Sequence, residues 1–218
     1  WERECSLQRE RQKVVEIAPA PGLDAGLRDK LLAASLAMAA DVAYRNVGTF
    51  EFLVDASAQG HSGFAFIEAN PRLQVEHTVT EEVWGVDLVK TQLRLAGGAP
   101  LDDTGITKAS PRGHAIQLRV NMETMTADGS ARPGGGTLTS FEPPSGPGIR
   151  VDTYGYAGYR TNPNFDSLLA KVIVHAADFD GALQRAERAL AAFRLEGAPS
   201  NIAFLRALIA HPDFRADK

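Results

Sequence analysis

The sequence predicts an α+β fold in two parts, and three observations carry this prediction. The first part opens with a long run of side chains at helical spacing, followed by two short segments rich in Phe and Ile, spaced as in a hairpin. The second part has several short strand-like segments and then two helical ones. A polar stretch with Gly and Pro over 102–113 separates them. We therefore predict domains over 1–106 and 107–218.

Two helices are predicted in the first domain. Apolar or small side chains recur at spacings of three and four residues from Leu27 to Val42, which favours one long amphipathic helix over about 23–45. Asp24 is available to cap its start. A second helix is predicted over 87–96, with Asp87 placed to cap it and a Gly pair directly after it.

An antiparallel hairpin is predicted from 48–55 and 63–69, which flank the polar segment 56–62. If the hairpin turns at the middle of that segment, Glu51 lies directly opposite Glu68. Like charges at such a position destabilise a sheet unless something offsets them. The sequence therefore predicts either a solvated acidic pair on an exposed face or a pair that holds a cation.

A metal site is the functional interpretation of this pair. Mg²⁺ prefers oxygen ligands and is commonly held by one or two carboxylates together with substrate phosphates. Asn70 follows Glu68 by two residues and adds a further oxygen. Glu51, Glu68 and Asn70 thus form a candidate metal-nucleotide site.

The second domain is predicted to alternate strands with turns and to end on two helices. The strands are expected at 114–122, 137–141, 148–153 and 170–175, and the helices at 180–193 and 201–210. Asn201 is a plausible cap for the last helix. The run Gly134–Gly136 is interpreted as a turn, because it lacks the strand and helix context of a phosphate-binding loop.

Composition restricts the function classes. The chain has 218 residues, a net charge of −4 and one cysteine, Cys5. It therefore offers neither the basic field that nucleic acid binding requires nor a disulfide framework, and it fits a reducing cytoplasm. The longest apolar stretch, 31–40, is too short to cross a bilayer. No signal peptide is visible, and the absence of an initiator Met suggests a piece of a longer protein.

A dense polar run follows the second hairpin strand. Arg72, Gln74 and Glu76 alternate with apolar residues, so an extended segment would turn all three to one face. A guanidinium, an amide and a carboxylate together could hold a small oxyanion and remove its proton. A surface salt-bridge ladder is the alternative. His77 has the opposite parity and is interpreted as structural.

Three further features are weaker. The charge run 8–13 by itself is typical of a solvated face. Arg119 lies in an apolar strand, with its two neighbours pointing away from it. The pair Asp166 and Ser167 precedes a strand and is interpreted as a turn or cap.

Five segments in order resemble the biotin carboxylase family: CSLQRERQKVVEIAPAPG, GTFEF, FIEANPRLQVEHTVTEEVWGVDLVKTQLRLAGG, GHAIQLRVN and YAGYRTNPNFDSLLAKV. This resemblance covers nearly the whole chain. It implies the C-terminal part of an ATP-grasp fold followed by the biotin carboxylase C-terminal α+β domain. The implied activity is ATP-dependent carboxylation of biotin with bicarbonate through carboxyphosphate.

The resemblance also implies roles for individual residues. Glu51 and Glu68, with Asn70 nearby, would bind the Mg²⁺ or Mn²⁺ ions that bridge the ATP phosphates, and Gln8 matches a nucleotide-contact position. The implied bicarbonate ligands are Lys13, Arg72, Gln74 and the backbone of Val75. Glu76 would be the base, and Arg119 would stabilise the biotin enolate. The family usually has His at the position of Arg11, so we assign Arg11 no role.

Partners follow from the same resemblance. A biotin carboxyl carrier domain, a carboxyltransferase component and a homodimer in the full-length protein are expected, with no nucleic acid or membrane partner. The family's glycine-rich lid and adenine-site lysines do not occur in this sequence, so we expect the chain to be inactive alone. Two other readings remain open: a different ATP-grasp ligase that joins a carboxylate to an amine, and a non-enzymatic binding or assembly module.

Overall fold

The structure is a computed structural model that describes residues 1–9, 11–55, 63–126 and 128–216. The helices are α1 (Ala25–Asp41), α2 (His77–Trp84), α3 (Leu88–Ala96), α4 (Phe179–Ala192), α5 (Ile202–Ala210) and α6 (Pro212–Arg215). The strands are β1 (Gln8–Arg9), β2 (Gln12–Lys13), β3 (Val15–Ala18), β4 (Thr49–Val54), β5 (Phe64–Asn70), β6 (His114–Asn121), β7 (Glu123–Met125), β8 (Ala131–Pro133), β9 (Ser140–Glu142), β10 (Ile149–Thr153), β11 (Leu168–Ala176) and β12 (Arg194–Glu196).

A four-stranded antiparallel sheet in the order β10-β11-β6-β3 forms the centre of the fold. Its edge strand β3 comes from the start of the chain, with Glu16 paired to Gln117 of β6. The sheet therefore joins chain segments from both sides of the predicted boundary at 106 and 107, and that boundary stays a prediction.

The two faces of this sheet have different covers. Even-numbered residues of β6 and β11, such as Leu118 and Val172, pack against α4 and α5 in the main hydrophobic core. Odd-numbered residues face the other way, where Ala115 and Ile173 contact Val79 of α2. Because side chains alternate along a strand, each polar odd-numbered residue of β6 is directed to the α2 side.

The β4–β5 hairpin has the predicted pairing at its base, since Glu51 lies opposite Glu68. A register shift follows directly after Glu51, so the pairing beyond it differs by one residue from the symmetric hairpin. The segment 56–62, where the hairpin was expected to turn, lies outside the described residues. Apolar side chains of both strands, including Leu53 and Ile67, are exposed.

Local signals in the sequence predicted four of the six helices, namely α1, α3, α4 and α5, and two of their caps. Asp24 accepts a hydrogen bond from the Leu27 amide at the start of α1, and Asp87 accepts one from the Lys90 amide at the start of α3. α1 is shorter than predicted, and only Leu27 and Leu31 of its apolar positions are buried. No helix in the described ranges has the length and apolar character to span a membrane.

Several elements were not predicted, and one strand was misplaced. The most important unpredicted elements are β3 and α2, which form the sheet edge and one of its covers; the others are β1, β2, β7, β8, β12 and α6. The strand expected at 137–141 is shifted to β9, which pairs with β12, while Thr137 makes only an isolated bridge to Arg160.

The expected cap at Asn201 is a correction. Asn201 stands at the start of α5, but its side chain makes no capping hydrogen bond to that helix. It is fully buried and bonds to the backbone of β6 instead, accepting from the Asn121 amide and donating to the Arg119 carbonyl. The Asn201 side chain therefore makes long-range hydrogen bonds to β6 and not the local bond that would cap α5.

Candidate active site

A cluster of charged side chains lies where the β4–β5 hairpin, the start of α2 and the α2-facing side of the central sheet meet. The β2 strand contributes Lys13, the hairpin contributes Glu51, the turn before α2 contributes Glu76 and β6 contributes Arg119. We call these four residues the charged cluster. They come from four elements that are distant in sequence, so only the tertiary fold brings them together.

Lys13 is the centre of the charged cluster. Its Nζ donates to Glu51 Oε1 at 2.8 Å and to Glu76 Oε1 at 2.7 Å. Arg119 Nη2 contacts the other oxygen of Glu76, Oε2, at 3.2 Å. Glu76 is thus held between two cations while it is almost fully buried.

The Lys13 contact corrects one expectation. The charge run 8–13 was interpreted as a solvated face, yet the Lys13 side chain is only 14% exposed. Arg9, in the same run, forms an ion pair with the buried carboxylate of Glu123 at 2.5 Å. Both cations are bonded to carboxylates that lie far away in sequence, which a local charge pattern does not reveal.

The charged cluster sets the protonation state of its carboxylates. Burial acts to raise the pKa of Glu76, but hydrogen bonding and attraction from Lys13 outweigh it and lower that pKa. The pKa of Glu51 is lowered in the same way, with burial opposed by hydrogen bonds from Lys13 and Gln74. For Lys13, burial lowers the pKa, but bonds to Glu51 and Glu76 raise it overall. Both carboxylates are therefore ionised at neutral pH.

The predicted acidic pair lies next to the charged cluster. Asn70 Nδ2 donates to Glu68 Oε1 at 2.8 Å and to Glu51 Oε1 at 3.3 Å, so all three side chains share one face of the hairpin. Oxygen donors of this kind suit Mg²⁺ or Mn²⁺ when phosphate oxygens complete the shell. No group of three or more His, Cys, Asp or Glu side chains is arranged to hold a metal alone within the described part of the chain. The donor set fits a metal that arrives with a nucleotide.

The run from Arg72 to Glu76 is not extended, and the parity argument that grouped its side chains is wrong. A turn forms there, with the His77 amide donating to the Gln74 carbonyl. Gln74 and Glu76 still reach the charged cluster, since Gln74 Nε2 donates to Glu51 Oε1 at 2.8 Å. Arg72 is exposed and donates to the Leu73 carbonyl instead.

Arg72 and Gln74 line a cleft together with Arg3. Arg3 is held there by hydrogen bonds to Thr80 and Thr49. Gln74 Oε1 is buried and has no hydrogen-bond partner among the described residues. The cleft thus has two guanidinium groups at its wall, next to a residue whose amide oxygen is buried without a partner.

The remaining predicted site residues lie around this centre. Gln8 is exposed and donates to the Cys5 carbonyl, and the Val75 carbonyl accepts from Lys171 Nζ at 3.3 Å. Arg11 is exposed and has a positive φ of 67°, in the connection between β1 and β2. His77 lines the cleft, and its ring Nδ1 lies 2.8 Å from the Gln74 carbonyl oxygen, so its structural role stays a prediction.

One residue beside the charged cluster was missed by the sequence analysis. Glu16 is fully buried on the α2-facing side of the sheet and contacts Arg119 at 2.5 Å. The sequence does carry a signal, because Glu16 is a lone acid within the apolar segment Val14–Ile17. A charged residue in a buried strand requires a partner, and that requirement marks it for attention.

Two family models match the chain. Residues 1–104 match the carbamoyl-phosphate synthase L chain ATP binding domain, and residues 117–218 match the biotin carboxylase C-terminal domain. The predicted domain boundary lies among residues 105–116, which neither match covers, and it stays a prediction.

Curated relatives match almost the whole chain. A pyruvate carboxylase of Aspergillus niger is 44% identical over 217 residues, which is 98% of this chain and 18% of that protein. A biotin carboxylase of Nostoc sp. is 43% identical over 98% of this chain and 46% of its own length. The chain therefore spans less than half of the length of these relatives.

Solved structures agree with the fold. The biotin carboxylase domain of a single-chain bacterial carboxylase is 49% identical with a TM-score of 0.90, over 100% of this chain and 49% of that one. A single-chain, multi-domain long-chain acyl-CoA carboxylase is 47% identical with a TM-score of 0.92, over 99% of this chain and 23% of that one. The chain belongs to the biotin carboxylase family, with the C-terminal part of the ATP-grasp domain followed by the biotin carboxylase C-terminal domain.

Proposed function

We propose that the complete polypeptide containing this chain carboxylates biotin with bicarbonate at the expense of ATP. The observation that carries this proposal is the buried Glu76 carboxylate held between Lys13 and Arg119, next to the acidic pair of the hairpin. It combines a base, two cations for oxyanions and oxygen ligands for a nucleotide-bound metal. Each is required for phosphoryl transfer to bicarbonate.

Bicarbonate would bind between the cleft and the charged cluster. Arg72 and Gln74 line the cleft and Lys13 lies in the charged cluster, so these side chains and the backbone of Val75 would hold bicarbonate with its hydroxyl proton toward Glu76. Glu76 is ionised and can accept that proton. Because its pKa is lowered, this transfer is uphill unless it is coupled to the attack on phosphorus.

The reaction then proceeds in two stages. A bicarbonate oxygen attacks the γ-phosphorus of ATP, ADP leaves, and carboxyphosphate forms. Carboxyphosphate breaks into CO₂ and phosphate, phosphate takes the proton of the biotin ureido nitrogen, and that nitrogen attacks CO₂. Arg119 would stabilise the negative charge that develops on the ureido oxygen.

Nucleotide binding would use the hairpin. Glu51, Glu68 and Asn70 would hold Mg²⁺ or Mn²⁺, which supplies charge neutralisation of the ATP phosphates when bound. Gln8 would contact the nucleotide.

The proposed partners follow from the neighbours, which are multi-domain carboxylases. We propose a biotin carboxyl carrier domain as the donor of biotin, a carboxyltransferase component as the consumer of carboxybiotin, and a homodimer in a cytoplasmic setting. The remaining half of the ATP-grasp domain would clamp ATP from the other side, so this chain alone is expected to be inactive.

The test is bicarbonate-dependent ADP release by the complete protein and its Glu76→Gln variant. Gln preserves the shape of the side chain but cannot accept the proton, so the rate should fall about a hundredfold or more. Glu81→Gln is the matched control, because Glu81 is also buried and ion-paired, to Arg150 at 2.8 Å, outside the charged cluster. An unchanged rate for Glu76→Gln would exclude Glu76 as the base, and a wild-type protein that forms no carboxybiotin would refute the proposed function.

A further inference from the structure

Glu16 is an ionisable side chain at the base of the site, and the proposed reaction does not use it. It lies on the edge strand β3, opposite Gln117 of β6, and its relative exposure is 0%. Glu16 Oε1 accepts from Arg119, and Glu16 Oε2 accepts from Gln117 Nε2 at 2.8 Å. The hydroxyl of Thr78, in α2, in turn donates to Gln117 Oε1. Both oxygens of the carboxylate are therefore bonded.

A buried carboxylate is costly, since removal of an ion from water costs several kcal/mol before its partners offset it. Burial accordingly raises the pKa of Glu16, with the charge of Arg119 acting in the opposite direction. An apolar residue would suit this position in the sheet better. The presence of a buried carboxylate here is explained if Glu16 holds the Arg119 guanidinium in a fixed orientation.

Arg119 is shared by two carboxylates with different surroundings. Glu76, in the charged cluster, contacts Nη2, and Glu16, on β3, contacts both Nε and Nη2. When Glu76 takes up a proton it loses its charge and its hold on the guanidinium. The negative charge of Glu76 raises the pKa of Glu16, so protonation of Glu76 favours the ionised form of Glu16, which still accepts from Arg119 Nε.

We propose that Glu16 is a positioning residue that keeps the Arg119 guanidinium aimed at the site throughout the reaction, including the stage at which Glu76 is protonated. The effect on turnover rests on the proposed function, whereas the contact that orients Arg119 does not. Held in this way, Arg119 is oriented before negative charge develops on biotin, which is the condition for effective electrostatic stabilisation. Gln117 and Thr78 complete the support by fixing the Glu16 carboxylate.

The test is Glu16→Gln in the complete protein. Gln occupies nearly the same volume, and Gln117 can turn its amide over because the Thr78 hydroxyl can accept as well as donate. The fold should therefore survive, while the charge that holds Arg119 is lost. We expect kcat for biotin-dependent ADP release to fall about 10- to 100-fold, as for other residues that orient a ligand-contacting group. Biotin-independent, bicarbonate-dependent ATP cleavage should stay within about twofold.

A double-mutant cycle separates this role from a structural one. If Glu16 acts through Arg119, adding Glu16→Gln to Arg119→Ala should change the biotin-dependent rate by less than about twofold. A role in sheet stability alone would instead lower both ATP-cleaving activities and would persist in the Arg119→Ala background. Glu81→Gln, with its own buried ion pair, should leave kcat unchanged.

A measurement that does not require turnover can test the Glu16–Arg119 contact separately from the proposed biotin carboxylation. The exchange rate of the Arg119 Nε hydrogen, measured by ¹⁵N NMR, should rise at least about tenfold in Glu16→Gln, because its acceptor has lost its charge. An unchanged exchange rate, or full biotin-dependent turnover in Glu16→Gln, would overturn the positioning role. A wild-type protein without biotin carboxylation would refute the proposed function, while the exchange rate would still decide whether Glu16 holds Arg119.

Discussion

Asn201→Ala should destabilise the protein far more than its position at a helix start suggests. Asn201 Oδ1 accepts from the Asn121 amide at 2.9 Å, and Asn201 Nδ2 donates to the Arg119 carbonyl at 3.0 Å. The side chain is fully buried, so water cannot replace it without rearrangement. Alanine would leave both backbone groups of β6 without this partner.

The magnitude follows from the two groups. An amide hydrogen left unsatisfied in the interior costs about 1–3 kcal/mol, and the lost bond to the carbonyl, which retains a second lone pair, adds about 1 kcal/mol. We therefore expect the free energy of unfolding to fall by about 2–4 kcal/mol. Loss of a helix cap alone would cost about 1 kcal/mol.

The assay is urea denaturation followed by fluorescence of the stacked pair Trp1 and Trp84, with the slope m compared between variants to confirm that the same surface unfolds. Asn164→Ala is the control, because Asn164 is exposed, and its change should stay within about 0.5 kcal/mol. A loss below about 1 kcal/mol for Asn201→Ala would refute the reasoning and would restore the simpler interpretation of Asn201 as a cap.

Three further predictions concern ionisable groups. Burial, and secondarily Glu76, raise the pKa of the Cys5 thiol to about 12. Alkylation of Cys5 in the native protein at pH 8 should therefore be slower than that of a free cysteine peptide by on the order of a thousandfold. Rapid labelling, seen by mass spectrometry, would contradict this. Burial opposes ionisation of Asp152, but Arg150 and Lys171 outweigh it and lower its pKa. The ionised side chain should therefore stabilise the fold above about pH 4, and this effect should be lost as the pH falls through the lower folded pKa. The difference in unfolding free energy between the wild type and Asp152→Asn should shrink over that range, and a constant difference would count against the ion pair. Lys13→Met should raise the pKa of Glu76, because Lys13 supplies the bonds and charge that lower it; a ¹³C NMR titration with no upward shift would show that Lys13 does not control this carboxylate.

Local patterns in the sequence determined the hairpin, the acidic pair and two helix caps. Glu51 faces Glu68 because pairing near the base of a hairpin is set by strands close in sequence, and the register shift comes only after that pair. Asp24 and Asp87 cap their helices because a cap bonds to amides a few residues away. Such contacts depend on neighbours that the sequence shows directly.

Only the tertiary structure decided which charges meet. Lys13 and Glu76 are 63 residues apart, and Glu76 and Arg119 are 43 apart, so no periodicity connects them. In the sequence Glu16 is a lone acid in an apolar segment, and only the pairing of β3 with β6 shows which side chains surround it. Arg72, which shares the parity of Glu76, lies outside the charged cluster because the chain turns between them. Long-range packing sets these positions, since the free energy of burying a charge depends on the partner that the fold brings to it.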